Sequence, residues 1–126
     1  LEAAATDGYA GRIGVVVAVD AGGVVAGVRV VSHKETPGLG DYIDPKKDRN
    51  KASPWIGQFA GVSWREVDAA RWTVKKDGGV FDHRTGATIS ARAVSRIVGR
   101  TVAFAMERRD ALFSAVPGTT LQGNQP

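Results

Sequence analysis

Cysteine is missing from this chain altogether. That excludes a disulfide framework, thiolate catalysis and cysteine-ligated zinc or iron–sulfur sites, and it fits a location outside the cytoplasm. Histidine is nearly missing as well: His33 and His83 are the only two. A His-rich metal site is therefore ruled out, leaving room only for one built on a single histidine or on carboxylates, and no metal is expected. No apolar run approaches the roughly 20 residues needed to span a bilayer. A membrane anchor, if the protein has one, belongs to a segment not contained in these residues. No internal repeat is visible at a solenoid period, and only short polar ends depart from globular composition. The chain opens on Leu1 rather than methionine, as an excised or processed piece would, and Leu1-Glu2 reads as a pair left by cloning.

What remains is 126 residues, 43% hydrophobic and 24% charged. That composition suits one compact domain with a core spanning about residues 8–113. The formal net charge is +4. The positive side chains are spread over Lys34, Lys46, Lys47, Arg49, Lys51, Lys75, Lys76 and the last helical stretch. They form no stripe interleaved with aromatics, so a nucleic-acid partner is not expected. A basic surface does favour an anionic cofactor, an acidic partner or a membrane surface.

Hydrophobic patterning predicts an α+β domain, with a twisted, mainly antiparallel sheet and a short and a long helix packed on it. Ile13 to Val19 and Val24 to Val31 are valine-rich and flank Asp20-Ala21-Gly22-Gly23, the pattern of a β-hairpin. Alternation is imperfect, which predicts a hairpin partly covered on both faces. Ser53-Pro54 is expected to open a short helix, with serine as N-cap, proline as first helical residue, and Trp55, Ile56 and Phe59 buried. Val62 to Val67 and Arg71 to Lys75 are candidate strands, and Asp77-Gly78-Gly79 is a turn. The polar run from Asp44 to Lys51 reads as a solvated surface segment. From about Ser90 the period becomes helical, with Val94, Ile97, Val98, Thr101, Val102 and Ala105 on one face. Arg92, Arg96, Arg100, Arg108 and Arg109 occupy much of the other, and the helix is expected to reach about Leu112. Residues from Pro117 onward read as a frayed tail.

Two short stretches carry chemistry. Asp82-His83-Arg84-Thr85-Gly86-Ala87-Thr88 places a hydroxyl residue in a Gly-Ala turn just before the long helix. Unpaired N–H groups and the positive end of the macrodipole stabilise a phosphate at such a place. The same residues also suit plain helix capping, with Gly86 supplying a tight turn. Upstream, Glu35-Thr36-Pro37-Gly38-Leu39-Gly40 holds a Pro-Gly pair suited to a type II turn. Its two glycines allow close backbone approach to a planar ligand, with Leu39 as an apolar lid.

The two stretches together resemble the FMN-binding domains of bacterial ion-pumping redox complexes. The nearest resemblance is to the G component of the Rnf electron-transport complex, and the next to the C component of the sodium-translocating NADH:quinone oxidoreductase. The resemblance runs through Ser53-Pro54-Trp55-Ile56 and the Asp77-Gly78-Gly79 turn, covers roughly Gly8 to Arg109, and keeps the motifs in family order. Ser90 stands where relatives often have threonine, and Thr85 where they often have serine.

This resemblance implies FMN bound covalently through a phosphoester to Thr88. A flavin transferase outside the cytoplasm would make the bond from FAD with a divalent metal, releasing AMP; the domain itself is not the catalyst. It also implies that Asp82 belongs to the transferase recognition signature, against the alternative of a turn-forming aspartate. Gly86 and Ala87 would leave room for the phosphate, and Thr85 and Ser90 would hydrogen-bond it or cap the helix. The flavin ring would lie against the loop Thr36, Pro37, Gly38, Leu39 and Gly40, with Glu35, Thr36 and Leu39 as ring contacts. His33 and Lys34 would either add positive charge beside the flavin or serve as ordinary surface residues. The function implied is electron relay among the proteins of a membrane redox complex on the periplasmic face of the inner membrane. The alternatives are the corresponding component of the quinone reductase, a stand-alone flavinylated carrier, and a non-redox binding module outside the cytoplasm.

Overall fold

The computed structural model describes residues 1–8, 11–84 and 87–108. Three strands, β1 (Glu2–Gly8), β2 (Gly11–Val19) and β3 (Val25–Ser32), form an antiparallel sheet in the order β1-β2-β3. Four short 3₁₀ turns follow, and one long helix, α1 (Thr88–Glu107), packs against β1 and β2. The α+β architecture expected from the patterning is the one observed.

β2 supplies the centre of the core through Ile13, Val15 and Val17, each at most 1% exposed. Its hairpin with β3 closes as the Asp-Ala-Gly-Gly signal predicts. Asp20 Oδ1 accepts the N–H groups of Gly22 and Val24 at 2.9 and 3.0 Å, and Gly23 takes a φ of 84° that favours glycine. The imperfect alternation has a different cause from coverage on both faces. Register shifts fall between Gly14 and Val15 and between Ala18 and Val19, and an extra residue at a bulge puts neighbours on the same side. Arg12, Ala18, Arg29 and Val31 remain exposed.

β1 goes beyond what the patterning predicts. Its sequence, Glu-Ala-Ala-Ala-Thr-Asp-Gly, has little strand propensity, yet Ala3 and Ala5 are buried and pair with Val15 and Ile13. Small side chains at those two positions leave room for α1 to lie close over the strand. The start of the chain runs along this sheet: Val17 N donates to Leu1 O at 2.8 Å, and Glu2 pairs with Val16.

Neither candidate strand downstream forms. Gly61 to Trp64 touch only the start of β3, through Val25 N to Val62 O, Gly61 N to Val25 O and Trp64 N to Gly23 O around an isolated Val24–Ser63 bridge. The chain then turns, with Ser63 O accepting from Glu66 and Val67. Arg71 to Lys75 is divided between the 3₁₀ turns Ala69–Arg71 and Lys75–Asp77, leaving a single parallel bridge from Val74 to Phe81. The Asp77-Gly78-Gly79 turn is present, with Gly78 at φ 86°.

The short helix is a 3₁₀ turn, Trp55–Phe59, and Pro54 sits outside it as the N-cap with ψ 145°. Ser53 does not cap it. The N–H of Trp55 is taken instead by Asp48 Oδ2 at 2.7 Å, from seven residues upstream. Trp55, Ile56 and Phe59 are buried as expected. Their rings extend into a chain: Tyr42 on Trp55 (5.5 Å), Trp55 on Phe59 (5.4 Å), Phe59 on Phe81 (4.4 Å) and Phe81 on Trp72 (5.6 Å). Such contacts add about 0.5–1.5 kcal/mol each beyond simple burial.

α1 begins two residues before the periodicity does and buries the predicted face. Gly99 is in its middle because Trp72 crosses there: a Cβ on Gly99 would stand 2.4 Å from the Trp72 Cβ. Arg96, Arg100 and Arg108 are exposed on the opposite side, and Arg92 is partly covered. Arg109, the expected end near Leu112 and the tail from Pro117 lie outside the described residues.

Candidate functional site

Thr88 is the first residue of α1, half-buried, and Ala87 is its N-cap. No side chain of the cap residue closes the helix end, so the first-turn N–H groups and the dipole are directed at the space beside them. Thr85 and Gly86 lie outside the described residues.

The Glu35–Gly40 loop comes against that first turn. Leu39 N donates to Thr36 O at 3.0 Å across the Pro-Gly pair, and Gly38 adopts the positive φ, 78°, that a type II turn needs at that position. Gly38 N then donates to Asp41 Oδ1 at 3.1 Å. Gly40 lies deeper, where a Cβ would be 2.3 Å from Ser90 Oγ and 3.2 Å from Glu35 Cβ. Only glycine permits so close a junction of loop and helix.

The loop residues divide into two groups. Glu35, Gly40 and Ser90 are buried, and Ser90 Oγ donates to Glu35 Oε1 at 2.6 Å. They form the inner joint between loop and helix. Gly38 and Leu39 face outward and line a cavity of about 230 Å³ that also touches Ala87. Leu39 is 53% exposed, a large apolar side chain open to solvent beside the helix N-terminus. Thr36 is half-buried and Pro37 exposed. His33 accepts the Glu35 N–H through Nδ1 at 3.1 Å, and its Nε2 is 3.8 Å from Asp44 Oδ2; Lys34 is exposed.

Several residues that complete the site lie where the sequence reads as solvated surface. Lys47 and Arg49 reach the small cavity from the Asp44–Lys51 run, and Arg84 joins them from the other side. Asp48, in the same run, has no solvent exposure at all. Its oxygens accept from Trp55 N (2.7 Å), Asn50 N (3.0 Å) and Arg84 Nη2 (2.9 Å to each oxygen). Burial pushes the Asp48 carboxyl up, but these donors outweigh it and hold the group below the usual carboxylate range. One of two aspartates in a lysine-rich run carries no periodic signal. The one clue in the sequence is its position seven residues before Trp55, too far for the usual capping pattern.

Arg84 also stacks over Tyr42, 5.1 Å from the ring centroid, a cation–π contact. Burial raises the Tyr42 phenol to about 12, with Arg84 acting in the opposite direction. The hydroxyl therefore keeps its proton at neutral pH and donates to Ala87 O at 2.7 Å.

Beyond Arg84 the surface opens into a larger cavity of about 530 Å³, walled by Trp55, Gln58, Lys75, Asp82, His83 and Arg84 among others. Asp82 has a firmly held backbone: its N–H donates to Gln58 Oε1 at 2.8 Å, and its carbonyl accepts from Trp55 Nε1 at 2.7 Å. Its carboxylate is exposed on the rim, paired with Lys75 at 2.8 Å. No group of three or more metal-ligating side chains occurs among the described residues.

A helix whose N-cap, Ala87, shares a cavity with Lys47, Arg49 and Arg84 against one acid, Asp41, suits a phosphate, and a glycine-lined loop with an exposed leucine suits a flat, partly apolar group beside it. The residues fit a flavin nucleotide. Several relatives with closely similar sequences are the G component of an ion-translocating oxidoreductase complex. That of Pseudoalteromonas atlantica is 46% identical over 115 residues, covering 91% of this chain and 51% of the relative. In Shewanella loihica the identity is 51% over 104 residues, 82% of this chain and 47% of the relative. In Pseudomonas aeruginosa it is 47% over 114 residues, 90% and 51%. The chain thus spans about half the length of these relatives. Residues 8–103, from the end of β1 to well inside α1, match the family model described as the FMN-binding domain, and the chain belongs to that family.

Proposed function

We propose that this domain carries FMN through a phosphoester on Thr88 and works as an electron relay in an ion-translocating oxidoreductase complex on the periplasmic face of the inner membrane. The observation that carries the reading is the position of Thr88. Its hydroxyl belongs to the first residue of a 20-residue helix, and the preceding residue, Ala87, lines a cavity with Lys47, Arg49 and Arg84. A phosphate esterified there would meet both the helix dipole and three cationic side chains.

A threonine hydroxyl is a weak nucleophile at neutral pH and needs a base. A separate flavin transferase would supply that base. In that step Thr88 Oγ gains a bond to the flavin-side phosphorus of FAD and the diphosphate bond breaks. AMP leaves, and the hydroxyl proton passes to the transferase. Asp82, with its backbone fixed and its carboxylate exposed on the rim, is suited to recognition by that enzyme. Ala87 leaves the helix end open, and Gly38 and Leu39 would hold the ring side of the ligand. Bound FMN supplies the one- and two-electron chemistry; the protein supplies position and charge. The partners are the other proteins of the complex, with the membrane engaged through a segment not contained in this chain.

Co-expression with a flavin transferase in the export compartment tests this directly. After denaturation and washing, wild-type protein is expected to keep flavin fluorescence and the mass of one FMN, whereas Thr88→Ala loses both. A colourless wild type overturns the covalent reading, and a yellow Thr88→Ala of the same added mass overturns the choice of residue.

A further inference from the structure

Asp82, the first residue of the motif, and Ala87, the residue before its threonine, are both tied to one buried carboxylate. On one side, Asp48 Oδ2 accepts the Trp55 N–H, and the Trp55 indole donates to Asp82 O. On the other, Asp48 holds the Arg84 guanidinium through two 2.9 Å bonds, Arg84 lies over the Tyr42 ring, and the Tyr42 hydroxyl donates to Ala87 O. Ala87 immediately precedes Thr88. The run of contacts from Asp48 to the Thr88 backbone is therefore continuous, and a second run reaches the motif's first residue.

Stability alone gives little reason for this arrangement. Asp48 has no exposure while the Arg84 side chain keeps 37% of its own, and burying a carboxylate costs several kcal/mol of desolvation that its partners must offset before any gain appears. What a satisfied buried network does provide is a single geometry. Asp48 itself lines neither cavity, so it acts through its neighbours.

We propose that Asp48 is the positioning residue for the Thr88 acceptor, fixing both ends of the segment 82–87 and with them the place where the hydroxyl meets an incoming phosphorus. The inference rests on Thr88 being the FMN attachment point. Displacing an attacking group by about 1 Å costs on the order of 100-fold in rate, so releasing this network should slow transfer while leaving the acceptor chemically intact.

The test uses the full chain, a flavin transferase, FAD and Mg²⁺, with FMN incorporation followed by mass. Asp48→Asn keeps the shape of the side chain but removes its charge, and Tyr42→Phe removes only the hydroxyl that holds Ala87. Each folded variant is expected to show at least a roughly 10-fold lower transfer rate at saturating domain, with the KM for the domain little changed. Amide exchange should accelerate in residues 82–88 and not in the rest of α1. The Asp48→Asn, Tyr42→Phe double variant should fall less than the product of the two singles, because both act on the same run of contacts. If Asp48→Asn fails to fold, Tyr42→Phe carries the same expectation. Wild-type rates in both variants overturn the proposal, and so does a loss of amide protection spread evenly over the core. A wild type that takes up no FMN on Thr88 overturns the covalent reading first, and this inference with it.

Discussion

Ser90 Oγ donates to Glu35 Oε1 at 2.6 Å across 55 residues of chain, and both side chains are buried. This bond joins the Pro-Gly loop to the first turn of α1. Ser90→Ala would leave a buried carboxylate with one donor fewer, a change that costs about 1–3 kcal/mol. A melt should show the midpoint lowered by several degrees, and Ser90→Thr should recover part of the loss by restoring a hydroxyl. An unchanged midpoint in Ser90→Ala would mean that the loop is held by other contacts.

Gly99 is expected to resist the substitution that helix propensity favours. Alanine is better than glycine in a helix interior by about 1 kcal/mol, but here its methyl would be 2.4 Å from the Trp72 Cβ and 2.5 Å from Cγ. Overpacking of that kind costs about 1–3 kcal/mol, so the collision wins. Gly99→Ala should lower the urea midpoint and shift Trp72 emission toward that of exposed indole. A stabilised variant would show that the 69–72 turn can move away from α1 freely.

Acid should weaken the Asp48 contacts only at low pH. Its carboxyl is held below the usual range in the folded protein, so its stabilising contribution is complete above the unfolded-state value of about 3.9 and disappears as pH falls through the folded value. Urea midpoints measured downward from pH 6 should therefore fall in wild type below about pH 4. In Asp48→Asn the curve should start lower and be flatter. Parallel curves for the two proteins would contradict the assignment.

Asp77 offers a comparison with the opposite expectation. The Arg92 hydrogen bond holds its carboxyl low as well, but the pair lies on the surface, where solvent and salt screen it. Asp77→Asn should change the melting midpoint by no more than a degree or two, and less still at high salt. A large loss would mean that this pair fastens the 75–79 turn to α1.

Much of the frame is legible in the sequence because local chemistry and tertiary need agree there. The β2–β3 hairpin carries its own turn residues, α1 carries a sustained apolar face, and Gly38 and Gly78 sit where a positive φ is required. β1 is not legible, because three alanines say nothing of a strand until α1 needs a thin layer beneath it. The two absent strands fail for the converse reason: Val62 and Val74 have strand-like neighbours, but each finds only a single bridge to extend from. At the site, the motifs contain Thr88, Arg84, Gly38 and Leu39, whereas Asp48 and Tyr42 act through contacts spanning 36 and 45 residues. No local pattern encodes such distances.

Trp55 gives the protein a built-in optical gauge. Its indole is fixed to the Asp82 carbonyl in the wall of the larger cavity, so its emission reports on that wall. A yellow chromophore lodged nearby absorbs where tryptophan emits and would quench it. Loading of the domain can then be followed in real time from intrinsic fluorescence without a label, with Trp55→Phe giving the share that comes from Trp64 and Trp72.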